Sequence, residues 1–480
     1  MAEESNFLLI NKMNINTKKL PLSFKDKGFW KVTLSLAVPI ALQQMLSASF
    51  SLIDTLMVGQ LGDIPLSATG MAGQWSWLFT MVLFGIASGA SVFVSQYWGD
   101  GNIRGIRRSV GISLSAGVII SLIFMAVALI IPEKIIYIFN KTPDVIREGA
   151  IYLRFACLSY PAIALTNILS ATLRSIEHPK IPMVASGICA VVNVVLNYLL
   201  IFPAGLGVKG AAIATAVSAW VGPILIIIFT VLTKNILFAP LSEFAFSMKS
   251  VGEFFKKTTP VIINETMWGM GTVAYNIIFA NIGHEEYAAI TIVKTFENLA
   301  FCFFMGLCTA CCVMAGKAIG AGEVREGIRD TKRFMILMPL MSAIVGVFII
   351  LFRVPLVSIF NLGSNISDYT ITTAQHIMII FAVWAIVRNV PYLTVVGIFR
   401  PGGDTSMGMI VEIGVLWLFA VPMTYMAANL WNLPFLTVYA IMYLCEDIPK
   451  AIIFIRYWYS GKWIKPVTDA GKQGLLELKK

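Results

Sequence analysis

Stretches of about 20 or more apolar, almost uncharged residues recur along the whole chain, the length an α-helix needs to cross the hydrocarbon core of a bilayer. Twelve such spans are expected, at 33–60, 67–98, 110–131, 149–172, 182–202, 208–232, 257–282, 287–316, 334–353, 371–399, 407–428 and 434–458. Only 13% of the 480 residues are charged and 58% are hydrophobic, too little polar material to solvate the surface of a water-soluble domain. The expected fold class is an all-α integral membrane protein. No Pro/Gly/Ser-rich or charged linker divides the chain into soluble parts.

All seven cysteines fall inside the spans, which argues against a disulfide framework. Cys308, Cys311 and Cys312 form a C-x-x-C-C run without a histidine or further cysteine nearby to complete a metal site, so they read as small residues for helix packing. With the N-terminus in the cytoplasm, 28 Lys and Arg fall on the cytoplasmic side and 6 on the outer side or outer helix ends, while Lys294 and Arg388 lie within spans. That asymmetry places both termini in the cytoplasm. The net charge of +10 follows from topology, with the basic tails as solvated flanks facing anionic lipid, and implies no nucleic-acid partner. The first 31 residues hold no signal-peptide core, which suits a multi-pass protein of a cell membrane such as the bacterial inner membrane.

Two segments resemble each other: SQYWGDGNIRGIRRS from Ser95 and GKAIGAGEVREGIRDT from Gly316. Each closes an apolar span with G-x-G and then opens a basic helix start. Aligning Gly99 with Gly320 gives an offset of 221 that also places Pro39 over Pro260, Gln44 over Glu265 and Gly62 over Gly283. Two lobes of six helices are expected, and because six is even they form a parallel repeat, an arrangement common in secondary transporters. The expected division is a tail 1–31, an N-lobe 32–232, a cytoplasmic linker 233–256, a C-lobe 257–458 and a cytoplasmic tail 459–480.

No phosphate loop or catalytic cluster is found, and the three histidines, His178, His284 and His376, are scattered, so transport is expected rather than enzymatic catalysis, with no cofactor. The chemistry falls to polar residues inside spans. Gln43, Ser47, Ser51 and Asp54 lie at spacings of 4, 4 and 3 on one face of the first helix. A lone carboxylate costs roughly 3 kcal/mol to insert, so Asp54 needs a reason to be there. Asn193, Asn197 and Thr215 offer neutral oxygens that with Asp54 could coordinate Na⁺, or the acid could carry a proton. Glu265 is a second acid without a sequence-local partner. Lys294 and Glu297, by contrast, read as a local i,i+3 pair. Gln44, Trp268, Tyr275, Asn276 and Glu412 join Gln43 as candidates for the substrate cleft. Trp75, Trp77 and Trp417 suit stacking on organic cations, although each alone reads better as packing or an interface anchor.

These residues resemble the multidrug and toxic compound extrusion family over nearly the whole chain. The matching pieces are LAVPIALQQ, LIDTLMVGQLG, SGASVFVSQYWGDGNIRGIRR, TLRSIEHPKIPM, VVNVVLNYLLIF, GVKGAAIATAVS, IFRPGGDTSMGM and LWLFAVP, in order and spacing. The resemblance implies two six-helix lobes around a V-shaped cleft, with alternating access that exchanges Na⁺ or H⁺ for amphipathic, often cationic drugs. By position it implies that Asp54 matches the family's first-helix acid, Asn193 and Asn197 the fifth-helix pair, Thr215 the threonine of GAAxAT and Glu265 the seventh-helix acid. Where some members carry an acid at Asn197 or in helix ten, this chain has Asn197, and His376, Arg388 and Asn389 in helix ten, which leaves the coupling ion open between Na⁺ and H⁺. The alternative is a lipid-linked oligosaccharide flippase of the same superfamily, which needs a strongly basic cavity; the charges found here are mainly acidic, Arg388 being the chief exception. The expected partners are small organic molecules and membrane lipids, with a monomeric protein.

Overall fold

The computed structural model describes residues 23–358 and 367–479. Of the expected tail 1–31, residues 1–22 lie outside them, with Lys12, Lys18 and Lys19; so does Lys480 at the other end. The described residues form fourteen helices and a single isolated β-bridge. These are α1 Lys27–Gly59, α2 Asp63–Gly99, α3 Ile103–Ile130, α4 Pro132–Phe139, α5 Pro143–Ser175, α6 Lys180–Ile201, α7 Gly207–Leu232, α8 Met248–Ile282, α9 His284–Gly320, α10 Val324–Ser358, α11 Asp368–Gly402, α12 Thr405–Asn429, α13 Phe435–Ser460 and α14 Asp469–Lys479. A short 3₁₀ turn, Cys157–Ser159, interrupts α5, and π-helical turns Leu393–Phe399 and Leu416–Ala420 interrupt α11 and α12. Each π turn runs up to a proline, Pro401 or Pro422, which has no N–H to close an ordinary turn.

Ten of these helices are long and apolar enough to cross a membrane, which makes the chain an all-α, multi-pass membrane protein. Helices α8 and α13 occupy the seventh and twelfth expected spans and are long enough, at 35 and 26 residues, but fall below the other ten in apolar character. The reason is their polar load: Asn264, Glu265 and Asn276 in α8, and Glu446, Asp447 and Lys450 in α13. Ten spans therefore stand on length and composition where twelve are expected.

The chain packs as two compact units, each with its own core. One comprises 39–94 and 102–262; its centre is Phe79, stacked on Tyr160 at 4.5 Å and tilted against Phe124 at 5.4 Å. The other comprises the described residues up to 38, then 95–101, and 263 onward; here Phe399 sits edge-on to Phe454 at 5.5 Å and to Tyr457 at 5.3 Å. Both α1 and α8 change unit part-way along, after Val38 and after Ile262, beside Pro39 and Pro260, which the repeat aligns.

The two G-x-G motifs meet inside the second unit. A Cβ on Gly99 would stand 1.9 Å from the Lys317 carbonyl oxygen, and one on Gly320 2.0 Å from that of Gln96, so the ends of α2 and α9 touch backbone to backbone. The second glycine of each motif, Gly101 or Gly322, turns the chain at φ +70° or +87°, the left-handed region that a side chain disfavours.

The C-terminal segment corrects an expectation. Residues 461–479 are no solvated flank: Trp463 is fully buried, Ile464 bridges to Gly403, the Val467 N–H donates to Gln96 Oε1 at 2.7 Å, and Thr468 Oγ1 donates to the Gly320 carbonyl at 2.8 Å. Alternating basic residues masked the apolar ones that dock. Likewise Arg333, Arg400 and Lys450, counted by sequence among cytoplasmic surface charges, are 2–3% exposed. The expected linker 233–256 includes the first turns of α8, and Arg107 holds its start by donating to the Ile236 carbonyl at 2.8 Å and pairing with Glu243.

Candidate functional site

In the 39–262 unit, Asp54 stands on α1 facing α6. Its Oδ1 accepts from Asn197 Nδ2 at 2.5 Å, and the same amide reaches Asn193 Oδ1 at 3.1 Å, one turn earlier on α6. Asn193 in turn donates to Ser218 Oγ on α7 at 3.2 Å. Thr215, whose hydroxyl donates to the Ala211 carbonyl at 3.0 Å, lies beside Tyr152 of α5, which stands within electrostatic reach of Asp54. The four candidates Asp54, Asn193, Asn197 and Thr215 are thus gathered by three helices; Ser218, expected with Thr215 on the sixth span, joins them, and so does Tyr152, which was not foreseen. Asn197 is fully buried, and its Oδ1 has no hydrogen-bond partner in the structure. Among the described residues no Lys or Arg pairs with Asp54.

Gln43 does not share this cluster. It is buried, donates to Ser186 Oγ at 3.0 Å and accepts from Arg174 at 3.3 Å, while Gln44 is half-buried one position on. Ser47 donates back to the Gln43 carbonyl, and Ser51 is exposed. Trp75 packs on Phe124 at 4.9 Å, in keeping with the packing reading.

In the other unit the candidates form an ionic network. Glu265 is no isolated acid: Arg400, 135 residues away, binds it at 2.5 Å with both side chains largely buried. Glu412 accepts from Asn264 of α8, a residue sequence reasoning passed over, and the Asn264 Oδ1 is left without a partner. Tyr275 is buried and donates to Glu446 at 2.8 Å, and Lys450 donates to the other oxygen of that carboxylate at 2.7 Å. Asn276 accepts from Lys294.

The expected Lys294–Glu297 pair is not formed. Glu297 instead accepts from the hydroxyls of Tyr439 and Tyr443, at 3.0 and 3.2 Å, with Arg388 at 3.6 Å, because α13 brings two phenols to the face of α9 from which Lys294 turns away toward α8. Arg388, the basic exception among the expected cavity charges, is bound to Tyr443 and Glu297. Tyr275, Asn276 and Glu412 are committed to partners inside the unit; of the cleft candidates on α8, Trp268 is the exposed one, at 38%. The Trp417 indole N–H donates to the Met267 carbonyl at 3.2 Å. Cys308, Cys311 and Cys312 line the buried side of α9 as unpaired thiols. The members sequence reasoning missed, Asn264, Arg400, Glu446, Asp447 and Lys450, had one signal available: three ionisable residues within five positions of the twelfth span.

The family model MatE matches residues 39–199 and again residues 260–426, two matches whose starts differ by 221 residues, the offset of the internal repeat. The chain belongs to the MatE family. A relative named "Probable multidrug resistance protein NorM" from Thermotoga maritima is 24% identical, with 91% of this chain and 93% of the relative covered. Multidrug and toxin extrusion protein 1 of Xenopus tropicalis is 23% identical over 81% of this chain and 67% of its own. The crystal structure of a mutant of the Vibrio cholerae MATE transporter VcmN superposes with a TM-score of 0.80 at 16% identity, covering 94% of this chain and 98% of that one. The MatE fold thus extends across nearly all of the chain, and MatE proteins are transporters.

Proposed function

We propose that the protein is a secondary active multidrug exporter, exchanging H⁺ or Na⁺ for amphipathic organic cations by alternating access, with both termini in the cytoplasm. The relatives' names as multidrug resistance and extrusion proteins support the substrate class. The observation that carries the coupling is Asp54: a carboxylate in a membrane-spanning helix, held by one amide, without a counter-cation among the described residues. Such a group stays in a low-dielectric setting by binding a proton or a small cation. Asn193, Asn197, Thr215 and Tyr152 supply neutral oxygens around it, and the fully buried Asn197 Oδ1 accepts no hydrogen bond, so both its lone pairs are free for a cation. Ion and drug then favour opposite states, so that each drives the release of the other. Glu265, neutralised by Arg400, has a positioning role in this scheme rather than a share in ion binding.

The test is flux of ethidium, a fluorescent organic cation, in proteoliposomes of the purified protein under an imposed pH gradient or an imposed Na⁺ gradient. Flux driven by one gradient names the ion, and Asp54→Asn is expected to abolish it while leaving a folded protein. Wild-type flux retained in Asp54→Asn would make the acid structural; no flux under either gradient would bring the lipid flippase forward.

A further inference from the structure

One network of charges inside the second unit does not balance. Glu265 and Arg400 lead to Glu412, Glu412 to Lys450, Lys450 to Glu446 and Asp447, Asp447 to Arg388, Arg388 to Glu297 and Glu297 to Lys294, each within electrostatic reach of the next. Five carboxylates therefore face four cations, and a surplus negative charge in such surroundings is costly. Four of the acids are held: Glu265 by Arg400, Glu297 by Arg388 and two phenols, Glu412 by the Asn264 amide, and Glu446 by Lys450 and Tyr275. Asp447 is the exception. It is 6% exposed and its Oδ2 has no hydrogen-bond partner, while the indole of Trp384, which faces it from α11, keeps an unpartnered N–H of its own.

We propose that Asp447 is a proton-binding site, taking up one proton as a neutral carboxylic acid and giving it back during the transport cycle. Protonation removes the one charge by which acids exceed bases and supplies an O–H donor. Arg388 from α11 and Lys450 from the next turn of α13 are within electrostatic reach of Asp447 and oppose any added cation, while Glu446 beside it opposes the bare carboxylate; a proton, which forms a covalent O–H bond, overcomes that opposition where Na⁺ does not. The other ionisable groups within electrostatic reach of the site are Glu446 and Tyr443 on its own helix and Tyr275 from α8; Cys445 is its neighbour but one in the chain, and Glu297 of α9 and Glu412 of α12 reach it through Arg388 and Lys450. Their arrangement joins α8, α9, α11, α12 and α13, so a change of charge at Asp447 is felt by every helix that bears a member of the network. The protonation itself stands on this geometry; its place in a transport cycle rests on the function proposed above.

The experiment has two arms on wild type, Asp447→Asn, Asp447→Glu and Asp54→Asn, each purified and shown to be monodisperse. In the first, infrared difference spectra are recorded as the pH is stepped from acid to alkaline. A protonated-carboxyl carbonyl band that titrates in wild type and in Asp54→Asn, shifts in Asp447→Glu and vanishes in Asp447→Asn is expected. The same band persisting in Asp447→Asn overturns the proposal, as does a wild-type band that Na⁺ removes at constant pH. In the second arm, pH-gradient-driven ethidium exchange is expected to fall about tenfold or more in Asp447→Asn, the scale of a coupling free energy between sites, and to survive in Asp447→Glu. An Asp447 band with undiminished exchange in Asp447→Asn overturns the coupling role. Absence of wild-type exchange with the Asp447 band intact counts against the proposed function and leaves the proton site standing.

Discussion

Asp26 sits just ahead of α1 and accepts from the Gly28 and Phe29 backbone N–H groups, at 2.9 and 3.2 Å, and from Arg333 at 3.2 Å. The Phe29 N–H and the Arg333 guanidinium hold its carboxyl below the usual carboxylate range. A group with a lowered folded-state value contributes stability above its unfolded value, about 3.9, and loses it as the pH falls through the folded one. Thermal stability in detergent is therefore expected to drop below about pH 4, and Asp26→Asn to lower the plateau and flatten that limb of the profile. Glu265 and Arg400 make the opposite kind of pair, sheltered and matched. Removing one partner, as in Arg400→Met, is expected to cost about 3–5 kcal/mol by stranding a charge, whereas Arg400→Met with Glu265→Gln should recover much of it, read as melting temperatures of the single and double variants. At this scale the sequence was legible where chemistry is rare. Asp54 stood out because no charge surrounds it in its span, and Asn193 and Asn197 because one turn separates them. Arg400 was misread because a positive charge near a span end looks the same whether it faces water or a carboxylate contributed from far along the chain, and Lys450 because its partner Glu446, one turn earlier on the same helix, was passed over.

Among the helices, the spans follow apolar length closely, since a bilayer admits few other solutions: 208–232 was expected and Gly207–Leu232 is found. Long helices overrun their spans, as in the 37 residues of α9, roughly 55 Å at 1.5 Å per residue and well beyond a 30 Å hydrocarbon core. The G-x-G repeats were visible as a pattern, but their physical reason, the backbone contact between α2 and α9, was not, because it joins Gly99 to Lys317 and Gly320 to Gln96, residues far apart in the chain. Gly99→Ala and Gly320→Ala should each force that contact open, costing about 1–3 kcal/mol or more by overpacking. Gly101→Ala, where nothing stands within 4 Å of a new Cβ, should cost only the left-handed backbone penalty of roughly 1–2 kcal/mol. Thermal melts that rank Gly101→Ala as the worst of the three would contradict the close approach.

For the molecule as a whole, the repeat showed that there are two halves, but not that α1 and α8 each begin with one unit and finish with the other. Nothing in an apolar helix marks the residue at which its packing partners change, and only the aligned prolines Pro39 and Pro260 hint at it. The last twenty residues matter to the second unit out of proportion to their polarity. Trp463→Ala removes a fully buried ring that lies 6.5 Å from Phe399 and should cost about 3–5 kcal/mol, seen as a lower melting temperature or loss of monodisperse protein. The same docking sets a timetable for synthesis. Residues 39–262 have left the ribosome well before the chain is finished, and their unit can close during translation. Its neighbour cannot, because Gln96, among the first hundred residues made, accepts a hydrogen bond from Val467, among the last twenty. That unit remains an unfinished assembly until residues 461–479 have been made, so ribosome stalling ahead of them, or a bulky insertion among them, falls on one unit and spares the other.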